Sequence, residues 1–303
     1  MQYLRSAVTV LMIFFLVWTG RAVAVPFAMD SGFQPSLEIL EDSAHSLNAD
    51  SILDVPPQRW QRVDHGTPSY GFSGSVYWVR FSVSNDEERS QHLYVEVGYP
   101  LLNDVALYQM RDGRLMLPQK LGNSFPFHDR VVQHRNLLFP VVLRVLHTDT
   151  FYMRIESNSA LQSPVTVWGK QAFHAQDQLS IFQQGAYYGL VFVMVLYNLF
   201  LYWQIRDRVY LYYVMYVSTF SLAQMALNGF AYQMLWPDSP HWNQISIAVV
   251  TPAIVTFGCI FVCQALQLKK NAPLFRGLMM IMAVTGAVLF LASMVFAYHV
   301  MIK

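Results

Sequence analysis

From Gln178 to Lys303 the chain runs 126 residues with only eight charges, and those charges are grouped. Arg206, Asp207 and Arg208 are consecutive, Lys269, Lys270 and Arg276 lie close together, and only Asp238 and Lys303 stand apart. Four apolar spans lie between them, at roughly 185–204, 209–230, 245–266 and 277–298, each near the ~20 residues a helix needs to cross a hydrocarbon core. Four such spans in succession do not suit a water-soluble core, so this half of the chain is expected to be a multi-pass helical bundle in a lipid bilayer. The charge groups also orient it. The basic stretches 206–208 and 269–276 are expected on the cytoplasmic side, whereas Ala231–Gln244 has no Lys or Arg and carries Asp238, as expected of an outer loop.

The other half has different chemistry. Residues 25–177 carry 17 acidic and 12 basic side chains, a net charge of 12 − 17 = −5. Before them, Arg5, the apolar run Ala7–Trp18 and the small residues Ala22-Val23-Ala24 read as a cleaved signal peptide over residues 1–24, with an uncleaved anchor helix as the alternative; either directs the segment from Val25 onward out of the cytoplasm. With a formal net charge of +1 and two cysteines in the whole chain, neither a nucleic-acid partner nor a disulfide scaffold is expected.

Residues 25–177 alternate with the period of two that strands require. In Ser75–Ser84, Tyr77, Val79, Phe81 and Val83 share one face, and Trp78, Arg80 and Ser82 share the other. The pattern returns in Leu93-Val95-Val97, Val105-Leu107, Phe151-Met153-Ile155 and Val165-Val167, with turn formers such as Arg111-Asp112-Gly113 between. Short strands at this spacing predict an all-β jelly roll or antiparallel sandwich.

Several segments taken together resemble a known family. SVYWVRFSVSN (75–85), VEVGYPLLNDVALY (95–108), HRNLLFP (134–140) and FYMRIESNSALQSPVTVW (151–168) are similar to the type 2 extracellular sensory domain of bacterial seven-transmembrane receptors with diverse intracellular signalling modules. LYNLFLYWQIRDRVYLYYVMY (196–216) and LNGFAYQMLWPDSP (227–240) resemble the first two helices of that family and the loop after the second. The resemblance implies a periplasmic jelly roll related to carbohydrate-binding modules, seven helices and a C-terminal output such as a histidine kinase or diguanylate cyclase. Only four helices are expected within this sequence, which reads as a C-terminally truncated receptor.

On that reading the ectodomain binds an extracellular small molecule or glycan. A sugar site needs a flat aromatic for C–H faces and planar polar groups for hydroxyls, which singles out Trp78 and Arg80. The alternative for this pair is a structural face covered by the second sheet or by the segment before Ser75, with Arg80 in a salt bridge. His134 and Arg135, just before a strand, are a further candidate pair, or else a surface turn. Asp86-Glu87-Glu88 offers carboxylates to calcium, but a run after a strand is more commonly a solvated turn, so no metal site and no cofactor are expected. In the helices, Cys259 and Cys263 read as small packing residues, and Asn198 and Gln224 as interhelical hydrogen-bonders. Trp236-Pro237-Asp238-Ser239-Pro240 reads either as a dock for the ectodomain or as interfacial anchoring. No Ser-His, paired-Asp or HExxH set lies at membrane depth, so no enzyme is expected. The whole is read as a receptor in the bacterial inner membrane with its N-terminal domain in the periplasm. It relays binding through the helices to an output outside this chain, with a homodimer or a signalling protein as partner; the alternative is a membrane-anchored carbohydrate-binding module without a signalling role.

Overall fold

A computed structural model describes residues 32–63, 69–157, 160–162 and 164–301. The signal peptide expected at 1–24 lies outside them. Among the described residues twelve strands come first: β1 (Leu37–Asp42), β2 (Gln61–Val63), β3 (Ser69–Phe72), β4 (Val76–Asn85), β5 (Gln91–Val97), β6 (Asp104–Arg111), β7 (Arg114–Leu115), β8 (Gln119–Leu121), β9 (Leu137–Leu143), β10 (His147–Glu156), β11 (Ala160–Gln162) and β12 (Val165–Gly169).

Every described strand pair is antiparallel. The larger sheet runs β2-β1-β4-β10-β6-β7, with β8 also on β6, and the smaller runs β12-β5-β9; β3 and β11 pair as a ribbon. The two sheets are glued by the residues the alternation assigns to the core. Tyr77, Val79, Phe81 and Val83 of β4 meet Val95, Val97, Phe139 and Val167 of the smaller sheet, with Phe81 stacked on Phe151. The N-terminal half is therefore an antiparallel sandwich, as expected.

A second apolar cluster covers the outer face of the larger sheet, where a half-solvated sheet would be polar. Trp78, Val76, Tyr152 and Leu40 on that face are roofed by Ile52, Val55 and Trp60. The roof is the segment between β1 and β2, folded as two short 3-10 turns at Ser51–Asp54 and Pro57–Arg59. Asp42 anchors its start by accepting from the backbone N–H groups of Ser46 and Leu47 at 3.1 and 2.8 Å.

β12 passes into helix α1 (Lys170–Ile205) with no intervening loop. The remaining helices are α2 (Arg208–Leu227), α3 (Phe230–Met234), α4 (Pro240–Ala265), α5 (Leu268–Asn271) and α6 (Pro273–Met301). Of the four expected spans, three lie in helices, α1, α4 and α6, that are long and apolar enough to cross a membrane by length and composition. The exception is α2. Its Tyr210, Tyr212, Tyr213 and Tyr216, with Ser218, Thr219, Ser221 and Gln224, lower its hydropathy, and it packs between α1 and α4 with Tyr213, Val214, Ser221 and Ala226 buried.

Asp207 caps α2, its carboxylate accepting from the Val209 backbone N–H at 3.0 Å, as an N-cap side chain should. Cys259 and Cys263 are buried thiols on α4, while Asn198 bonds back to the Met194 carbonyl of its own helix. α4 and α6 approach closely because Gly286 of α6 has no side chain. A Cβ there would lie 2.6 Å from Thr256 Oγ1 and 2.9 Å from the Pro252 carbonyl oxygen.

Candidate functional site

Trp78 and Arg80 do lie on the face opposite the core, but that face is roofed. Trp78 is wholly buried. The Arg80 guanidinium is held by Glu38 at 2.6 Å and lies 4.6 Å from the centre of the Trp60 ring. The two residues thus take the structural role set out as the alternative, with the cover supplied by the segment before Ser75. Arg80 spends its charge inside the protein.

Beside Trp78, four neighbouring strands each bring one residue to the same level of the sheet. Trp78 of β4 is opposite Arg154 of β10, Arg154 is opposite Ala106 of β6, and Ala106 is opposite Lys120 of β8. Three of these side chains are long and the fourth is a methyl group, so the sheet has a hollow over Ala106. Along β6 the hollow is bounded by Asp104 and Tyr108, two residues to either side on the same face. Residues 47–49 stand at one flank, and the half-open hollow has a volume of about 280 Å³.

Beside the hollow, Trp78 Nε1 and Asp104 Oδ1 are buried out of contact with solvent and have no hydrogen-bond partner among the described residues, an arrangement that costs about 1–3 kcal/mol per group. Burial pushes the Asp104 carboxyl above the usual carboxylate range, against the pull of Lys120 and Arg154. Arg154 pairs with Glu156 at 2.6 Å, and the Tyr108 ring lies 5.8 Å from that of Trp78 at a 32° tilt. None of Asp104, Tyr108, Lys120 or Arg154 stands out in the sequence. The signal that points to them is the alternation Asp104-x-Ala106-x-Tyr108, which is readable only once the pairing register is known.

His134 and Arg135 are elsewhere, at the root of α1. The Asn136 backbone N–H donates to His134 Nδ1 at 3.1 Å, which assigns the proton to Nε2, and Nε2–H donates to Asp177 Oδ1 at 3.0 Å. Burial keeps the imidazole below its ordinary value despite the Asp177 carboxylate, so His134 is neutral at pH 7. Arg135 supplies the cation instead. It donates to the same Asp177 oxygen at 2.9 Å and to Ser180 Oγ at 2.9 Å, and its guanidinium lies 4.8 Å from the centre of the Phe230 ring. Phe173, one turn before Asp177, fills the space beneath, with its ring 5.2 Å from His134, 5.4 Å from Tyr94 and 6.3 Å from Trp168. These two residues therefore fasten the sandwich to α1.

A second fastening joins the loop after β8 to α3 and α4. Asn243 Nδ2 donates to Asn123 Oδ1 at 2.9 Å and its Oδ1 accepts from Trp236 Nε1 at 3.0 Å, both asparagines being buried. The Phe127 N–H donates to the Pro237 carbonyl at 2.9 Å, and the Tyr232 hydroxyl donates to the Phe125 carbonyl. Of the two readings of 236–240, docking of the ectodomain is the one observed. Arg130 is buried between the rings of Phe127 and Tyr232, 4.7 and 5.7 Å from their centres, and donates to the His134 carbonyl at 2.7 Å. With no carboxylate paired to it among the described residues, burial pushes Arg130 down to about 10. Gly229 lets the chain pass beneath. Its φ is +75°, and a Cβ would meet the Arg135 carbonyl oxygen and Pro100 Cβ at 2.9 Å each.

A sensory sandwich fastened to membrane helices defines a class, and comparison gives its family. The model described as 7TMR-DISM extracellular 2 matches residues 34–169, and that described as 7TM diverse intracellular signalling matches 180–303. The chain belongs to this family of seven-transmembrane receptors with diverse intracellular signalling, and is a membrane sensor with an extracellular domain and a transmembrane part.

No curated protein matches it. Among solved structures, a Faecalibacterium prausnitzii β-glucuronidase is similar at 12% identity and a TM-score of 0.28, covering 44% of this chain and 22% of the enzyme. The chain thus spans about a fifth of that protein. A family 35 carbohydrate-binding module from Clostridium thermocellum is similar at 7% identity and a TM-score of 0.24, covering 47% of this chain and 99% of the module. At these values the likenesses carry nothing about activity or ligand.

Proposed function

We propose that the ectodomain binds a carbohydrate outside the cell and that binding is relayed to the helices through the two fastenings, toward a cytoplasmic output. The observation that carries the relay is the pair of buried polar joints. His134 and Arg135 hold α1 through Asp177, while Asn123 holds α4 through Asn243. A ligand shifts such a system only through different affinity for two arrangements of it, and joints made of a few directed bonds have discrete alternatives.

The proposed setting is the bacterial inner membrane with the sandwich in the periplasm. The loop 229–244 lies against the sandwich, and the basic turns 206–208 and 269–276 are at the other helix ends, as the positive-inside rule asks. A periplasm-dependent reporter fused near Asp238 should be active and one fused near Lys270 silent; the reverse pattern refutes the orientation.

The relay is tested on the whole chain in lipid nanodiscs by amide exchange at Asn136 and Asn243, with neutral monosaccharides titrated in. A sugar that raises the melting temperature should also change exchange at both joints. Thermal stabilisation with unchanged joints would reduce the chain to the anchored binding module.

A further inference from the structure

We infer that the joint at the root of α1 is a proton-operated latch, held shut while His134 is neutral and released when its imidazole takes a proton from an acidifying exterior. The latch acts on the same joint as the relay proposed above, and what its release does to the helices rests on that reading. Its input is a proton and needs no sugar.

The joint is a chain of directed bonds that starts on α1 and returns to it. Asp177 of α1 accepts from His134 Nε2–H, and His134 Nδ1 accepts from the Asn136 backbone N–H. The Asn136 side-chain amide donates to Glu96 Oε1 at 2.6 Å, and Glu96 Oε2 accepts from Trp168 Nε1–H at 2.7 Å. Trp168 lies on β12, just before α1 begins. The chain thus ties the helix at Asp177 to the strand that feeds it, by way of β5. One of its acceptors, His134 Nδ1, is a neutral imidazole nitrogen, and imidazole is the side chain whose ordinary charge change falls between pH 5 and 8.

Geometry makes that nitrogen a switch. In the closed joint its lone pair is occupied by the Asn136 N–H, so a proton enters only after this bond breaks. The imidazolium has two donors and no acceptor and cannot remake the link. Its surroundings are also poor for a cation. The side chain is only 9% exposed, Arg135 already claims the same Asp177 oxygen, and the Arg130 guanidinium donates to the His134 carbonyl. Asp177 from α1 and Glu96 from β5 pull the other way, but burial outweighs them and holds His134 below its ordinary value. Phe173 faces the ring from α1, and His174 lies beyond Phe173, 5.9 Å from its centre.

Release exposes the ring to water, where it gains a proton near the ordinary value of about 6.5. Linkage then multiplies the released population by roughly 1 + 10^(6.5 − pH), about a tenfold rise between pH 7.5 and 5.5. The test uses the whole chain in lipid nanodiscs without sugar, and reads amide exchange at Asn136 corrected for the intrinsic pH dependence of exchange. Protection of Asn136 should fall about tenfold from pH 7.5 to 5.5, while amides in β4 and β10 keep theirs. His134→Gln, which carries no titrating group, should make Asn136 protection independent of pH, and His174→Gln should leave the tenfold change intact.

Should His134→Gln fail to fold, the imidazole resonance of His134 in the parent decides. Its titration midpoint should lie below about 6.5; a midpoint at or above that value overturns the latch, because acid would then tighten the joint. The latch is equally refuted by a loss of protection under about threefold, by an equal loss in β4 and β10, or by a change that survives His134→Gln or disappears in His174→Gln. Its failure is separable from that of sugar sensing. A sugar that binds without altering exchange at Asn136 removes the sugar relay and leaves the latch standing, and a sugar-sensitive Asn136 that ignores pH does the opposite.

Discussion

Replacing Asp177 by Asn should loosen the joint between sandwich and α1 without unfolding either. One carboxylate oxygen accepts from both His134 and Arg135, at 3.0 and 2.9 Å, and the three side chains are only 9, 11 and 15% exposed. The amide keeps an acceptor but loses the charge, leaving the Arg135 guanidinium partly buried without a counterion. Removing one partner of a buried pair costs about 3–5 kcal/mol. The residual exposure and the remaining amide acceptor place this site at the low end, about 3 kcal/mol, which is roughly a 100-fold rise in the population of the opened joint.

The readout is the Asn136 backbone amide, whose protection depends on His134 Nδ1 being held in place. Its exchange should accelerate about 100-fold in Asp177→Asn, while amides in β4 and β10 keep their parent rates. Arg135→Gln should give much of the same effect, and the double variant little more than either alone. Acceleration of less than about threefold in a folded protein, equivalent to under ~1 kcal/mol, would show that the joint is held by the Phe173 cluster rather than by the charge.

Three other outcomes are expected. Trp78→Ala should lower stability by about 3–5 kcal/mol because the side chain is fully buried, seen as a large drop in melting temperature; a drop of a degree or two would mean the roof is open in solution. Gly229→Ala should destabilise by about 2 kcal/mol through its left-handed backbone and the contacts at 2.9 Å, and an unchanged melting curve would contradict the close approach. Acidification should weaken the α1 joint. The folded value of His134 is lowered, so stability is complete above the unfolded value of about 6.5 and is lost as pH falls below it. His134→Gln should flatten the slope of melting temperature between pH 7.5 and 5.5, and an unaltered slope would assign it to other groups.

The sandwich was legible because period-two alternation needs no knowledge of pairing. All of Tyr77, Val79, Phe81, Val95, Leu107, Met153 and Val167 fall in the core. The hollow was not legible, since it exists only where Trp78, Arg154, Ala106 and Lys120 align across four strands, and register is set by turns and bulges far from those residues. His134 and Arg135 stand out as a pair, but their partner Asp177 is 42 residues or more downstream. Nothing local marks such a contact. The roof over Trp78 was hidden for a different reason. Segment 43–60 has no strand or α-helix period, and its apolar residues Ile52, Val55 and Trp60 are spaced irregularly.

The direct passage of β12 into α1 bears on what kind of movement can travel along that helix. α1 runs 36 residues without a proline, which makes it a rod about 54 Å long against a hydrocarbon layer of about 30 Å. About 24 Å of it, some 16 residues, therefore stand outside that layer, beside the sandwich that holds its first turns through Phe173 and Asp177. Such a rod has no slack, and it magnifies angle into distance. A rigid tilt of about 5° about the root would swing the Ile205 end by about 5 Å, roughly the pitch of one helical turn.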